Sequence, residues 1–598
     1  MRLHGGICRF VFGLALLLFV GGTFSCSFDT VGSIIASLIP SVDYWNGETA
    51  SWSYNGTEVQ YEVPKNVRTL KLSVNGPVDI FMVKMNTSTS AIPASSTRYI
   101  VSAASDSNAG ASYSSRSALE EASLLAMDDW ENVSGISASG IIRKDFAPAR
   151  DFVPPALGLD SSRSASGASY SVVGGPVKSV TQITPQVGKT TKNLWVDAKG
   201  DGNYTQESAT LRAEGSHCYI WVLNDCFDDT NASGKKINSA KAQAIATKFE
   251  GMYTLIRDVF GEKSDEMIDV QGRNEVVKDI SNVSDTGKKV NIVVYDIGGD
   301  YKPGQSSGVL GYFWAKDYYS KAYAAASRDS SIKLTNEGKY FYVDSGFLNS
   351  VEKMLYSTLA HEFQHMINFG QKTINHKVQS QTWSNEMMSM VCEDMIQRHL
   401  GIDELNSPIG RLLEFAKGYY LSGLTDWLSG NSVAYSYAGA YAFGAYLARN
   451  YGGKDLIKQI AINQYVDQDA ITQALKAIGK NESFESVFKK YPQALVLDNP
   501  PKGVTAPSLN KSVQGIDGMM PAIDLFNKVA SDGKGNTYSF KPTLLSANAS
   551  NRVNLRPYGF TLHGVGYTES ASTIQLNFSS PVNEHEKLYI LVQPRKSN

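Results

Sequence analysis

The chain has 598 residues, of which 42% are hydrophobic and 19% charged, with a formal net charge of −2. That balance excludes a disordered chain, which buries too little apolar surface to fold. It also provides no global field to draw nucleic acid or an anionic membrane surface.

The first 26 residues, MRLHGGICRFVFGLALLLFVGGTFSC, carry Arg2 and Arg9, then an apolar run from Phe10 to Val20, then small and polar residues. This is the layout of an export signal over 1–25, too short in its apolar part for a comfortable membrane span. Cys26 follows Gly-Gly-Thr-Phe-Ser, an imperfect lipobox in which the cysteine would be lipidated. The expected location is therefore outside the cytoplasm: a probable-lipoprotein pattern for the outer membrane, cell surface or periplasm, or otherwise a secreted protein. Any membrane contact would run through Cys26 alone.

Residues 26–101 predict an N-terminal β domain. VRTLKLSVNGPVDIFMVKM alternates apolar and polar positions around Asn75-Gly76, a hairpin-turn signal. Residues 102–190 are rich in Ser, Ala and Gly and predict a linker or pro-region, with a short helix near Leu119–Trp130. A catalytic domain is expected over 191–500. HCYIWVLND and KVNIVVYDI are strand candidates, as is KYFYVD at 339–344. Asn238 and Gly261 bracket a predicted helix over Ala240–Phe260. Further helices are predicted over Val351–Phe369, Trp383–Leu400, Ile409–Tyr420 and Tyr437–Asn450. YGFTLHGVG, STIQLNFS and KLYILVQP predict a C-terminal β domain over 501–598, of sandwich type. Cys218 and Cys226 are open to a disulfide or to two reduced, half-buried thiols.

The chemistry concentrates in STLAHEFQHMINF. Helix geometry places residues four apart about 6 Å along the axis on one face, so His361 and His365 can both reach one cation. Glu362 then stands beside the metal, where it can take a proton from a metal-bound water. Tyr356, Leu359, Ala360, Phe363 and Ile367 form an apolar stripe that predicts a buried helix. A catalytic zinc needs a third protein ligand. Glu386, 21 residues after His365 on the next helix, is the preferred candidate, and His376 in the intervening loop competes with it. Glu393, two turns beyond Glu386, is either a hydrogen-bond acceptor that buttresses His361 or His365 or a solvent-facing charge.

STLAHEFQHMINF, WSNEMMSMVCED and YSYAGAYAFGAYLARNYG, in that order, resemble the hyicolysin family of bacterial zinc metallopeptidases. The resemblance extends from about 192 to 495 and takes in NIVVYDIGGDYKPGQSSGVLGYFWAKD. It implies an α+β multidomain protein with a thermolysin-like catalytic domain between the β-rich ends. It also implies one catalytic zinc on His361, His365 and Glu386, with Glu362 as general base, and leaves structural calcium open. A strand ahead of the zinc helix, here KYFYVD, would bind the substrate backbone. The chain departs from the thermolysin pattern in having Met390 where an acidic residue is usual, and no histidine between His399 and His563. Tyr437, with Tyr435 second, is thus the expected oxyanion donor.

The expected function is an exported zinc metalloendopeptidase acting on protein or peptide substrates, by a zinc-bound water activated by Glu362. The alternative is a catalytically silent surface adhesin or binding lipoprotein built on the same scaffold.

Overall fold

The computed structural model describes residues 45–105, 113–115, 184–199, 203–271, 274–279, 288–303, 308–429, 432–531, 537–548 and 552–596. The expected export signal over 1–25, Cys26, the helix expected near Leu119–Trp130 and nearly all of the Ser-rich region lie outside them. By its contacts the chain divides after Gly47, and the account below concerns the unit that begins at Glu48.

The N-terminal strands are β1 (Glu48–Tyr54), β2 (Gln60–Glu62), β3 (Val67–Val74), β4 (Val78–Asn86) and β5 (Ile100–Ser105). Next come β6 (Thr191–Val196), β7 (Thr205–Glu214), β8 (Cys218–Leu223), helix α1 (Ser239–Phe260), β9 (Val290–Tyr295), β10 (Gly311–Phe313) and β11 (Tyr340–Asp344). The helical part contains α2 (Glu352–Asn368), α3 (Thr382–Leu400), α4 (Val433–Tyr451), α5 (Lys454–Ile462) and α6 (Asp467–Ala477). The C-terminal strands are β12 (Leu545–Ser546), β13 (Phe560–Thr568), β14 (Ser572–Phe578) and β15 (Glu586–Pro594). The chain is thus α+β, with helix starts and stops where its residues call for them. The Asn238 side chain accepts from the Lys241 N–H at the head of α1, and Gly261 ends it at φ 97°. The predicted Ile409–Tyr420 helix is broken into a 3-10 turn at Pro408–Arg411, helix Leu412–Gly418 and another 3-10 turn. Among the described residues no helix is long and apolar enough to cross a membrane.

The two β domains expected at the chain ends are one structure. One sheet has the order β1-β3-β14-β5; the other runs β12-β13-β4-β15-β2, with Tyr113–Ser115 added on β13. N-terminal and C-terminal strands are therefore interleaved in both sheets, β14 between β3 and β5 in one and β4 between β13 and β15 in the other. Nor do β3 and β4 form the hairpin that Asn75-Gly76 suggests. β3 pairs with β1 and β14, whereas β4 pairs with β13 and β15. The turn carries the chain from one sheet to the other. Leu70, Leu72 and Val74 of β3 share a core with Ile80 and Met82 of β4. The alternate β4 residues Phe81, Val83 and Met85 pack on the core of the helical region. β4 is thus covered on both faces, as the middle layer between the β3 sheet and the helical region.

The middle region is built on a mixed sheet of order β10-β11-β9-β8-β7-β6, in which β8, β9 and β11 are parallel and β10 is antiparallel at one edge. KYFYVD is consequently an interior strand, paired on both sides, whereas the substrate-binding strand that the hyicolysin resemblance implies would be an edge strand. Cys218 and Cys226 are both free and buried. Cys218 opens β8 and Cys226 follows its far end; an extended strand at about 3.3 Å per residue holds them well beyond disulfide reach.

Candidate metal centre

Helix α2 is buried from Met354 to Ile367. On one side Phe363 stacks on Tyr253 of α1 at 5.2 Å and meets Phe249 edge-on at 5.0 Å. Past Asn368 the chain continues in π-helical turns to Asn375. This connection is clamped from outside. Lys372 Nζ donates to the carbonyls of Ile460, Asn463 and Tyr465 at 2.7–2.8 Å, which closes the end of α5. Asp467 accepts from the Gln381 N–H at 2.9 Å, so the head of α3 is capped by a residue of α6. α2 and α3 thereby lie side by side at a fixed offset.

That offset brings three side chains together. His361 Nε2 is 3.1 Å from Glu386 Oε2, and His365 Nε2 is 3.5 Å from Glu386 Oε1. One ligating atom from each residue lies within 4.8 Å of the other two. Among the described residues no other group of three or more His, Cys, Asp or Glu side chains converges in this way. His365 Nε2 and Glu386 Oε1 are buried without a hydrogen-bond partner. A lone pair and a carboxylate oxygen left so are costly in a dry interior, and a cation between them removes the cost. Two imidazole nitrogens and a carboxylate oxygen suit zinc, so the residues fit one such ion. His376 takes no part: its Nε2 faces the Ile462 carbonyl at 3.3 Å.

The surroundings orient the ligands. Glu393 is buried, and its Oε1 is 2.9 Å from His361 Nδ1 while Ser357 Oγ donates to its other oxygen. Of its two sequence readings, the buried acceptor on His361 is the one seen. Electrostatics separate the carboxylates. Burial raises Glu362 to about 7, a rise that His361 and His365 partly oppose. Burial would raise Glu386 too, but His365 and His361 outweigh it and hold Glu386 at about 2. For His361, burial favours the neutral ring, yet Glu386 and Glu393 prevail and raise it well above the ordinary value. Glu362 is buried beside the site: its carboxylate accepts from the Phe313 N–H of β10, and Oε2 is left without a partner.

The two tyrosines lie on α4 in other company. Tyr437 is buried, with Trp427 edge-on at 5.0 Å and the Arg411 guanidinium 4.9 Å from its ring centre. Tyr435 is half-buried beside Gly418. Sequence reasoning misses Asn385, Ser389 and Gln364, which surround His365, and Gly311 and Phe313, which reach Glu362. The available signal for Asn385 and Ser389 is their spacing of four around Glu386.

Residues 203–544 match the Peptidase M30 family, more than half of the chain. The chain belongs to this family. The hyicolysin resemblance in its motifs is thus confirmed. Within 286 residues the M30 chain is 27% identical to the neutral metalloprotease ShpI of Staphylococcus hyicus, a match covering 45% of this chain and 53% of ShpI. It therefore spans about half the length of that relative. A crystal structure of an M1 zinc metallopeptidase from Deinococcus radiodurans overlaps 52% of the chain and 63% of its own, at 11% identity and a TM-score of 0.27, too low to argue from.

Proposed function

We propose that this M30 chain is an exported zinc metalloendopeptidase with a thermolysin-like active site. The carrying observation is the convergence of His361, His365 and Glu386 beside a buried Glu362 whose Oε2 has no partner. His361 Nε2, His365 Nε2 and the Glu386 carboxylate would hold zinc. Bound there, zinc would act as a Lewis acid on the scissile carbonyl and lower the pKa of water. Glu362 accepts the proton of the attacking water at Oε2 and delivers it to the leaving amine.

The substrate strand is assigned to β10 in place of 339–344. Leu310 O accepts from the Asp344 N–H at 2.8 Å, so alternation along an antiparallel pair turns the backbone groups of Gly311 and Phe313 away from β11. Phe313 N–H meets Glu362 on that free side. A peptide added there would run past the general base. The oxyanion contact is assigned to Tyr437, with Tyr435 second, on sequence position alone. Export and lipidation at Cys26 rest on the N-terminal sequence pattern.

The test is cleavage of a mixed peptide library by wild type and by Glu362→Gln. Cleavage by the wild type that disappears in the variant is expected. A folded, zinc-containing wild type that cuts nothing would favour the silent binding protein.

A further inference from the structure

The two histidines of the site are supported unequally. His361 leans on a carboxylate, Glu393. His365 Nδ1 meets no carboxylate; it lies 3.1 Å from Asn385 Oδ1 and 3.0 Å from Ser389 Oγ. Ser389 Oγ is also 2.5 Å from Gln364 Oε1. Gln364 and Ser389 are buried.

Counting hydrogens decides the direction of these bonds. A hydroxyl has one hydrogen and two lone pairs, and an amide oxygen only accepts. The Ser389 hydrogen therefore goes to Gln364 Oε1. Ser389 Oγ is left to accept from His365 Nδ1–H, and Asn385 Oδ1 accepts from the same hydrogen. With that hydrogen on Nδ1, Nε2 presents its lone pair toward Glu386.

We propose that Asn385, Ser389 and Gln364 are positioning residues that fix the ring plane and the donor edge of His365. This assignment rests on the metal-centre reading above. It makes α3 a single template: Asn385, Glu386, Ser389 and Glu393, at successive spacings of one, three and four, supply one ligand and the supports of both others. His361 is thereby backed by a charge and His365 by neutral acceptors. Partners of this kind typically hold metal affinity up by about 10- to 100-fold.

The test measures zinc release to a chromophoric chelator from the full chain loaded with zinc alone. Asn385→Leu, Ser389→Ala and the double variant should release zinc faster, the double by about 10- to 100-fold. Asn385→Asp keeps an acceptor and adds charge, and should release zinc no faster than wild type, an outcome that a packing role does not predict. Asn385 is half-buried, so its variants test the idea even if Ser389→Ala misfolds. Release within twofold of wild type in Asn385→Leu and the double variant overturns the proposal, as does Asn385→Asp releasing as fast as Asn385→Leu. A wild type that takes up no zinc overturns the metal centre itself, and is distinguished by failing before any variant is compared.

Discussion

Glu362 and Glu386 are both buried carboxylates near the same two histidines, yet one is pushed up to about 7 and the other down to about 2. Two carboxylates driven apart in this way can divide the work, one passing protons and one holding charge. Glu362→Gln should lower kcat by about 10²- to 10⁴-fold while zinc content, read by metal analysis, stays at one per chain. Glu393→Gln should instead weaken zinc affinity by about 10- to 100-fold in a chelator titration. A third prediction concerns stability. Burial raises Glu414 from 4.5 to about 7, with Arg411 and Lys417 opposing. The folded state then holds this proton more tightly than the unfolded state, so its stabilising contribution is full below about 4.5 and is lost as pH rises through 7. Glu414→Gln should match wild type in melting temperature near pH 4. Above pH 7 it should melt higher and be the more stable of the two, by on the order of 3 kcal/mol. A gap that shrinks as pH rises would contradict this.

The strands and helices set how close these groups come. A Cβ on Gly311 would lie 2.7 Å from Tyr342 O and from Thr358 Cγ2, and 3.4 Å from Glu362 Cγ. Tyr342 O is backbone of the neighbouring strand and cannot yield, so β10 would have to move off α2. Gly311→Ala should therefore reduce kcat/KM by about 10- to 100-fold with zinc content unchanged. Unaltered kinetics would show that β10 is not the substrate strand. What the sequence reveals at this level follows from range. His361, Glu362 and His365 are legible because one helical turn relates them. Glu386 and Glu393 are legible because the same periodicity runs through the next helix. Asn385 and Ser389 share that spacing, but small polar residues occur in helices for many reasons, so the spacing alone does not single them out. The edge strand is missed because three residues, Gly311–Phe313, are too few to show a period, while the apolar run at 340–344 shows only that a strand is buried, not which neighbours it has.

Across the whole molecule, the two ends of the chain complete one another. The three long C-terminal strands β13, β14 and β15 are legible in the sequence, but their N-terminal partners lie more than 450 residues away, and no local pattern encodes that. Because β3 and β4 each pair with C-terminal strands, these N-terminal strands are an integral part of the fold. A chain cut once between residues 116 and 183 should elute as a single species in native size-exclusion chromatography and as two in denaturant. Two species under native conditions would contradict the shared sandwich. At the N-terminus, a fatty-acid analogue should label the wild type and not Cys26→Ala.

The most direct test of the account is to strip the protein with a chelator, return zinc in steps, and follow peptide hydrolysis alongside bound metal. Hydrolysis should vanish on stripping and recover in proportion to zinc, reaching its full value at one equivalent. Hydrolysis that persists without metal, or a one-zinc protein that cleaves no peptide, would contradict it.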